Sequence, residues 1–137
     1  MSGYSGTPLP KKLGIAVNHR VVFINEPENF RGLLGNLPDG VEVLDRVKAP
    51  VDLIVFFATS EKDLLSRFEK LASMLDPAGM LWIAWPKKSS GVKSDLNDGR
   101  VRLIGLEAGL VDNKVCAIDD IWSGLRFVIR LKDRPLK

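Results

Sequence analysis

The chain has 137 residues, of which 20 are Lys or Arg and 17 are Asp or Glu, so its formal net charge is +3. This length suits one domain with its own core, and the mild basicity excludes the dense positive face of a dedicated nucleic-acid binder. A single cysteine, Cys116, excludes an intramolecular disulfide and a cysteine metal cluster.

The first segment of the chain, residues 1–18, is rich in Gly, Ser and Pro and carries Lys11 and Lys12. This composition favours an irregular, solvated arm in front of an α/β domain that spans residues 19–137. The segment lacks the apolar centre of a signal peptide, and no apolar run approaches the roughly 18 residues of a membrane span. We therefore expect a cytoplasmic protein.

Two short strands follow this segment. They are predicted at RVVFIN (20–25) and VEVL (41–44), with a short crossover helix between them that the apolar spacing of residues 30–37 indicates. Only residues 45–50 separate the second strand from the next one, whereas parallel neighbours normally need a crossover of about a dozen residues. Either this connection is stretched, or residues 41–44 form a minor edge element.

The stretch from Val51 to Trp85 is the most regular part of the chain. Residues 53–58 are continuously apolar, as expected of a strand that is buried on both faces of a parallel sheet. An amphipathic helix follows, with Ser60 as its N-terminal cap. Residues 76–79, Asp-Pro-Ala-Gly, end that helix before a second buried strand at 80–85.

The last third predicts a weaker helix that ends near Ala108, with Gly109 as its C-terminal cap, and two strands at 111–118 and 124–131. Alternation of apolar and charged residues marks the second of these strands as half-exposed. The predicted fold is a single-domain, truncated Rossmann-like α/β sheet, mostly parallel and closed by a C-terminal antiparallel strand pair.

This order of elements resembles the class I S-adenosylmethionine-dependent methyltransferases over residues 20–131. VDLIVFF (51–57) is similar to the family's fourth strand with its acidic start, and LDPAGMLWIAWPK (75–87) to its Leu-x-Pro-Gly-Gly turn and fifth strand. The resemblance implies the fold and says little about activity.

The cofactor loop of that family departs most from this sequence. The family places a Gly-x-Gly loop after the first strand, whereas this chain has Asn25-Glu26-Pro27-Glu28-Asn29, whose two carboxylates would repel the carboxylate of the cofactor's methionine. This degenerate site leads us to expect that S-adenosylmethionine is disfavoured. If the chain is nevertheless a methyltransferase, the resemblance implies that Asn25 and Asp45 contact the cofactor, with Asp45 on the ribose hydroxyls.

The chain is also similar to a family of small bacterial proteins for which no activity is established. The stretches that carry this similarity are GYSGTPLPKKLGI, WPKKSSGVKSD and GLVDNKVCAIDDIWSGLRFVIR. No catalytic residue follows from it, so whether the protein is an enzyme stays open.

The best candidate for a ligand site is the loop after the strand at 80–85, because ligands of open α/β sheets bind beyond the carboxyl ends of the strands. Its lysines and hydroxyls could hold a phosphate or a carboxylate, with Asp95 capping the next helix. The alternative is a solvated basic loop, since the Gly-x-x-x-x-Gly-Lys pattern is absent. The predicted ligand-binding residues are Lys87, Lys88, Ser89, Ser90 and Lys93 of this loop, together with Trp85 and Trp122.

Other chemistry-bearing residues favour structural roles. Asp119 and Asp120 are typical turn formers, His19 has no partner at motif spacing, and Cys116 is typical of a small buried residue. No metal site is predicted.

Three functions follow as hypotheses. The leading one is a non-catalytic, methyltransferase-like domain that binds an anionic small molecule or a protein partner. The alternative is a minimal S-adenosylmethionine-dependent methyltransferase with a divergent cofactor loop. Nucleic-acid binding by Arg126, Arg130 and Lys132 is a third and weaker interpretation, and the oligomeric state is left open.

Overall fold

The computed structural model describes residues 7–134. In this part of the chain six strands form one sheet in the order β2-β1-β3-β4-β6-β5. Strands β1 to β4 are mutually parallel, and β6 runs antiparallel to both β4 and β5. The strands are β1 (Arg20–Ile24), β2 (Glu42–Leu44), β3 (Val51–Phe57), β4 (Leu75–Pro86), β5 (Leu110–Ala117) and β6 (Trp122–Ile129). The predicted mostly parallel sheet with a C-terminal antiparallel pair is confirmed.

Within residues 7–134, four α-helices cover the two faces of this sheet. They are α1 (Leu9–Leu13), α2 (Phe30–Leu34), α3 (Glu61–Ser73) and α4 (Asp98–Glu107), and short 3₁₀ turns lie at Lys88–Ser90 and Leu131–Asp133. In the part of the chain described, no helix is both long enough and apolar enough to cross a membrane. The cytoplasmic location stays a prediction.

The handedness of the crossovers explains which face each helix covers. The chain moves one way across the sheet from β1 to β2 and the other way from β3 to β4, so right-handed connections place α2 and α3 on opposite faces. Phe30 of α2 and Leu13 of α1 accordingly lie in one apolar cluster, and Phe68 of α3 and Val101 of α4 lie in the other. We call these the α1/α2 face and the α3/α4 face.

The connection from β2 to β3 is short because β2 is short. Strand β2 has three residues at the sheet edge, and residues 45–50 run directly to the start of β3 without a helix. Val47 packs against the α3/α4 face, where a right-handed crossover must run. Both alternatives for this segment therefore apply: the strand is a minor edge element, and the connection is stretched.

Helix α3 begins as the sequence predicts. The Ser60 hydroxyl accepts a hydrogen bond of 3.1 Å from the Asp63 amide, which satisfies one of the free amides of the first turn. At the other end, Leu75 pairs with Val51 and Met80 pairs with Leu53, so the predicted turn at 76–79 is an irregularity inside β4.

The expectation of an irregular, solvated N-terminal arm is wrong for the part of it that the structure describes. Residues 9–13 form α1, and Leu13 is fully buried. The indole Nε1 of Trp82 donates a buried hydrogen bond of 2.7 Å to the Leu13 carbonyl. The apolar side chains at 9, 13 and 15 join the core of the α1/α2 face and outweigh the Pro-rich composition. Residues 1–6 lie outside the described part, and the boundary at residue 19 stays a prediction.

Candidate functional site

The loops that the sequence singles out meet at one edge of the sheet. The parallel strands β1, β2, β3 and β4 end there, and the turn from β5 to β6 joins them because Pro86 pairs with Trp122. We call this the carboxyl edge. His19 precedes β1 and lies at the opposite edge, where its Nδ1 accepts a hydrogen bond from the Ala16 amide.

The loop after β1 makes a left-handed turn without glycine. Asn25, directly after β1, has a φ of 58°, a conformation that asparagine tolerates better than other residues with a side chain. Glu26 of this loop also forms an ion pair with Arg31 of α2, with Nε of Arg31 2.9 Å from Oε2 of Glu26. The loop thus has the backbone turn that glycine would otherwise provide, and one of its two carboxylates is paired with a cation.

Asp45 lies directly after β2 at the same edge. Strand β2 is the neighbour of β1, and Val22 pairs with Leu44, so Asp45 follows a strand end adjacent to that of Asn25. Its side chain is exposed and has no ion-pair or hydrogen-bond partner among residues 7–134. Asn25 and Asp45, predicted as cofactor contacts, are therefore brought to neighbouring positions.

A groove of about 670 Å³ opens at the carboxyl edge between the loop after β3 and the loop after β4. Its walls combine two ammonium groups, four hydroxyl or carboxylate side chains and an apolar surface. The lining residues are Thr59, Ser60, Pro86, Lys88, Gly91, Val92, Lys93, Ser94, Asp95 and Leu96.

The loop that forms one wall of this groove, residues 86–96, is fixed to the start of α3. Ser94 Oγ donates a hydrogen bond of 2.7 Å to the Thr59 carbonyl, and Asp95 Oδ1 accepts one of 2.7 Å from the Glu61 amide. Leu96 beside them is buried in the core of the α3/α4 face. We call residues 86–96 the lysine loop.

The predicted role of Asp95 as the cap of the following helix is wrong. Asp95 binds the first amide of α3 instead, and Asn97 caps α4 by accepting a hydrogen bond of 2.8 Å from the Arg100 amide. The reason is tertiary: the lysine loop crosses the N-terminus of α3 before α4 begins. The spacing of residues along the chain carries no signal for this contact.

The five predicted ligand residues of the lysine loop are not equivalent. Lys88 and Lys93 line the groove, and their ammonium groups have no partner among residues 7–134. Lys87 does not line it: its Nζ donates a hydrogen bond of 2.9 Å to the Asp119 carbonyl, and its amide donates one to Ile121. Ser90 Oγ bonds to the Lys87 carbonyl at 2.6 Å, and Ser89 is exposed in the 3₁₀ turn. Their assignment as ligand residues stays a prediction.

The two tryptophans of the predicted site do not line the groove. Trp85 is 5% exposed and belongs to the core of the α3/α4 face. Trp122 lies on the other face, where its ring meets that of Phe57 edge to face with centroids 5.1 Å apart. Trp122 therefore folds back onto the sheet.

The remaining candidate residues make contacts that stabilise the fold or are partly buried. Asp119 Oδ1 accepts hydrogen bonds from the Ile121 and Trp122 amides at 2.8 and 2.7 Å, which fits a turn former. Burial raises the pKa of the half-buried Cys116 thiol above its ordinary value. Arg126, proposed for nucleic-acid contact, lies over the Trp82 ring and bonds to Asn113. Within residues 7–134 no group of three or more His, Cys, Asp or Glu side chains could hold a metal ion.

The groove is also lined by residues that the sequence did not indicate as ligand-binding residues. Thr59 and Asp95 lie 36 positions apart in the numbering and come together because β3 and β4 are parallel neighbours, so the loops after them lie at the same edge of the sheet. Ser60 was recognisable only as a helix cap. The general rule that ligands bind beyond the carboxyl ends of parallel strands was the one signal for them.

Solved structures with a similar fold include methyltransferases. A SAM-dependent methyltransferase from Aquifex aeolicus is 18% identical, with a TM-score of 0.59 over 93% of this chain and 91% of that one. A putative type 11 methyltransferase from Sulfolobus solfataricus is 14% identical, with a TM-score of 0.63 over 93% of both chains. Magnesium protoporphyrin IX methyltransferase from Synechocystis PCC 6803 with bound SAH (S-adenosylhomocysteine) is 11% identical, with a TM-score of 0.57 over 89% of this chain and 78% of that one.

These similarities show a class I methyltransferase-like, Rossmann-like fold. No protein-family model and no curated protein sequence matches the chain. The fold was predicted from the sequence, and this prediction is confirmed.

The expectation that S-adenosylmethionine is disfavoured is wrong. The Synechocystis enzyme has been solved with SAH and with SAM bound, so the scaffold that this chain shares is one on which the cofactor binds. The expectation rested on the missing glycines and the two carboxylates after β1. In the structure Asn25 makes the left-handed turn, and Arg31 pairs with Glu26.

Proposed function

We propose that the protein is a small S-adenosylmethionine-dependent methyltransferase with a divergent cofactor loop. One observation carries the proposal: the left-handed turn at Asn25 and the unpaired carboxylate of Asp45 follow adjacent parallel strands of a methyltransferase-like sheet. Ligands of open α/β sheets bind beyond this edge.

The residues at this edge fit the groups of the cofactor. Asp45 is an acceptor for the two ribose hydroxyls, because a free carboxylate offers two oxygens. The loop after Asn25 receives the methionine part, and the pairing of Arg31 with Glu26 weakens the repulsion between this loop and the methionine carboxylate. When bound, S-adenosylmethionine supplies a methyl group on a sulfonium, whose carbon bonds to a nucleophilic atom while the electrons of the broken bond return to sulfur.

Isothermal titration with S-adenosylhomocysteine tests the proposal, because this product tests the cofactor site without a methyl acceptor. We expect micromolar binding that Asp45→Asn weakens by about tenfold, equivalent to about 1.4 kcal/mol. Asp39→Asn is the matched control, since Asp39 is also exposed and lies before β2, at the opposite edge. No heat at millimolar ligand, or equal losses in both variants, would refute the proposal.

The second candidate is the non-catalytic domain that binds an anionic small molecule or a protein partner. The groove beside Lys88 and Lys93 favours it, because that groove needs no methyl donor to hold an anion. The two candidates differ in one result: only the methyltransferase is expected to bind S-adenosylhomocysteine. The fold similarities support the methyltransferase more strongly.

A further inference from the structure

We infer that the groove along the lysine loop receives the methyl acceptor, and that this acceptor combines a phosphate or carboxylate with an apolar part. The inference rests on the proposed function, and it names the substrate class. Four observations carry it: the charges of the groove, its apolar wall, its fixed shape and its position at β3 and β4, the strands next to β1 in the sheet.

The charge balance of the groove favours an anion. Lys88 and Lys93 contribute two ammonium groups, and Asp95 contributes the single carboxylate of the lining. That carboxylate is already engaged by the Glu61 amide. The positive end of the α3 dipole lies at Ser60 on the opposite wall and adds to the attraction. A phosphate or carboxylate therefore meets two free cations with little competition from Asp95.

The rest of the wall favours an organic molecule over a free inorganic ion. Pro86, Val92 and Leu96 line the same groove, and the residue Val92 is 42% exposed. An exposed apolar side chain beside two ammonium groups suits a ligand that has an apolar body and an anionic group. The volume of about 670 Å³ is within the range of small-molecule sites.

The lysine loop holds this arrangement before any ligand arrives. Both of its ends are fixed: Lys87 bonds to the Asp119 carbonyl at 2.9 Å, and Ser94 bonds to the Thr59 carbonyl at 2.7 Å. Between them Ser90 Oγ accepts from the Val92 amide at 3.2 Å. A loop fixed in this way loses less conformational freedom when it binds a ligand.

The position of the groove suits an acceptor that binds together with the cofactor. Asn25 follows β1, and the groove lies between the loops after β3 and β4, which are the next strands in the sheet. Neighbouring strands are about 4.8 Å apart, so the two regions are separated by about 5 to 10 Å. A cofactor at β1 and β2 and an acceptor at β3 and β4 are thus adjacent without overlap.

Two-dimensional NMR tests the inference with inorganic pyrophosphate and malonate as phosphate and carboxylate probes. We expect saturable shifts of the amides at residues 91–96, and a loss of affinity of about tenfold or more in the double variant Lys88→Ala, Lys93→Ala. The double variant Lys70→Ala, Lys132→Ala is the control, because it removes the same charge from exposed positions outside the groove. Whichever probe binds more tightly identifies the anionic group.

Titrations with S-adenosylhomocysteine on the same samples separate this inference from the proposed function. Simultaneous binding of the probe and S-adenosylhomocysteine supports an acceptor site, whereas competition between them overturns it. If S-adenosylhomocysteine binds and neither probe shifts residues 91–96, or if both double variants bind the probes equally, the inference fails and the proposed function stands. If the probes bind and S-adenosylhomocysteine does not, the proposed function fails and the assignment of the groove to an acceptor fails with it.

Discussion

The backbone amide of Glu61, the first residue of α3, donates a hydrogen bond of 2.7 Å to Oδ1 of Asp95, 34 residues further along the chain. The Glu61 side chain in turn pairs with Arg100 of α4. The first contact ties the lysine loop to α3, and the second ties α3 to α4, the helix that follows this loop. The groove is therefore formed by tertiary contacts of α3 and α4, and its shape depends on a small number of polar residues.

Asp95→Ala should lower the free energy of unfolding by about 1 kcal/mol, because it removes an acceptor from the first turn of α3. Asp120→Ala is the matched control, since Asp120 is exposed and its carboxylate makes no hydrogen bond or ion pair within the described part of the chain. Urea unfolding followed by circular dichroism measures both. Equal midpoints for the two variants would show that the Asp95 contact contributes nothing to stability.

Gly105→Ala should destabilise the protein by about 2 kcal/mol, despite the better helix propensity of alanine. Gly105 is in α4, and an added Cβ would collide with the ring of Phe127 on β6. Gly99→Ala lies in the same helix, and its Cβ would meet nothing closer than Asn97 Oδ1 at 3.5 Å. We expect thermal unfolding to show a neutral or raised midpoint for this control. A stable Gly105→Ala variant would contradict the packing of α4 on β6.

Trp82→Phe should lower the free energy of unfolding more than Trp85→Phe does, although both substitutions remove the same atoms. Trp82 Nε1 donates a buried hydrogen bond to Leu13, whereas the indole of Trp85 has no hydrogen-bond partner among residues 7–134. Leaving the Leu13 carbonyl unpaired adds about 1 to 3 kcal/mol. Hydrogen exchange should show faster opening of α1 in Trp82→Phe alone. Unchanged protection of α1 would refute its attachment through Leu13.

The sequence was sufficient to predict those parts of the fold that local signals determine. The apolar run of β3, the Ser60 cap and the glycine at 109, which takes a φ of 94°, all lie where predicted. Helix α1 was missed because five residues with Pro10 inside are too short for a helical period to show. Its stability comes from Leu9, Leu13 and Ile15 on the sheet, which is a tertiary effect.

The candidate site was predictable only in outline. The carboxyl edge and the lysine loop follow from the order of strands and helices. The order of elements does not show which lysines are free. Lys87 and Lys88 are neighbours in sequence, but only Lys87 is hydrogen-bonded to the β5–β6 turn. The expectation that S-adenosylmethionine is disfavoured came from residue types alone. It was wrong because the left-handed turn of Asn25 and the pairing of Glu26 with Arg31 depend on the folded loop.

The free energy of unfolding should decrease at alkaline pH because of the ionisation of the Cys116 thiol. Burial raises the pKa of its thiol in the folded protein, so the unfolded chain releases the proton first as the pH rises. The unfolded state then binds fewer protons, and the free energy of unfolding decreases between the ordinary thiol pKa and the raised one. In urea titrations from neutral to alkaline pH, Cys116→Ala should lose less stability than the unmodified protein. Parallel losses would contradict the raised pKa.

A crystal structure of the protein, from crystals grown with S-adenosylhomocysteine, would show whether the cofactor site lies at β1 and β2. We expect the ligand to lie across the carboxyl ends of β1 and β2, with its ribose hydroxyls on the Asp45 carboxylate and its methionine part at the loop after Asn25. Ligand bound at any other surface, or a protein that crystallises from saturating S-adenosylhomocysteine with none bound, would refute this cofactor site.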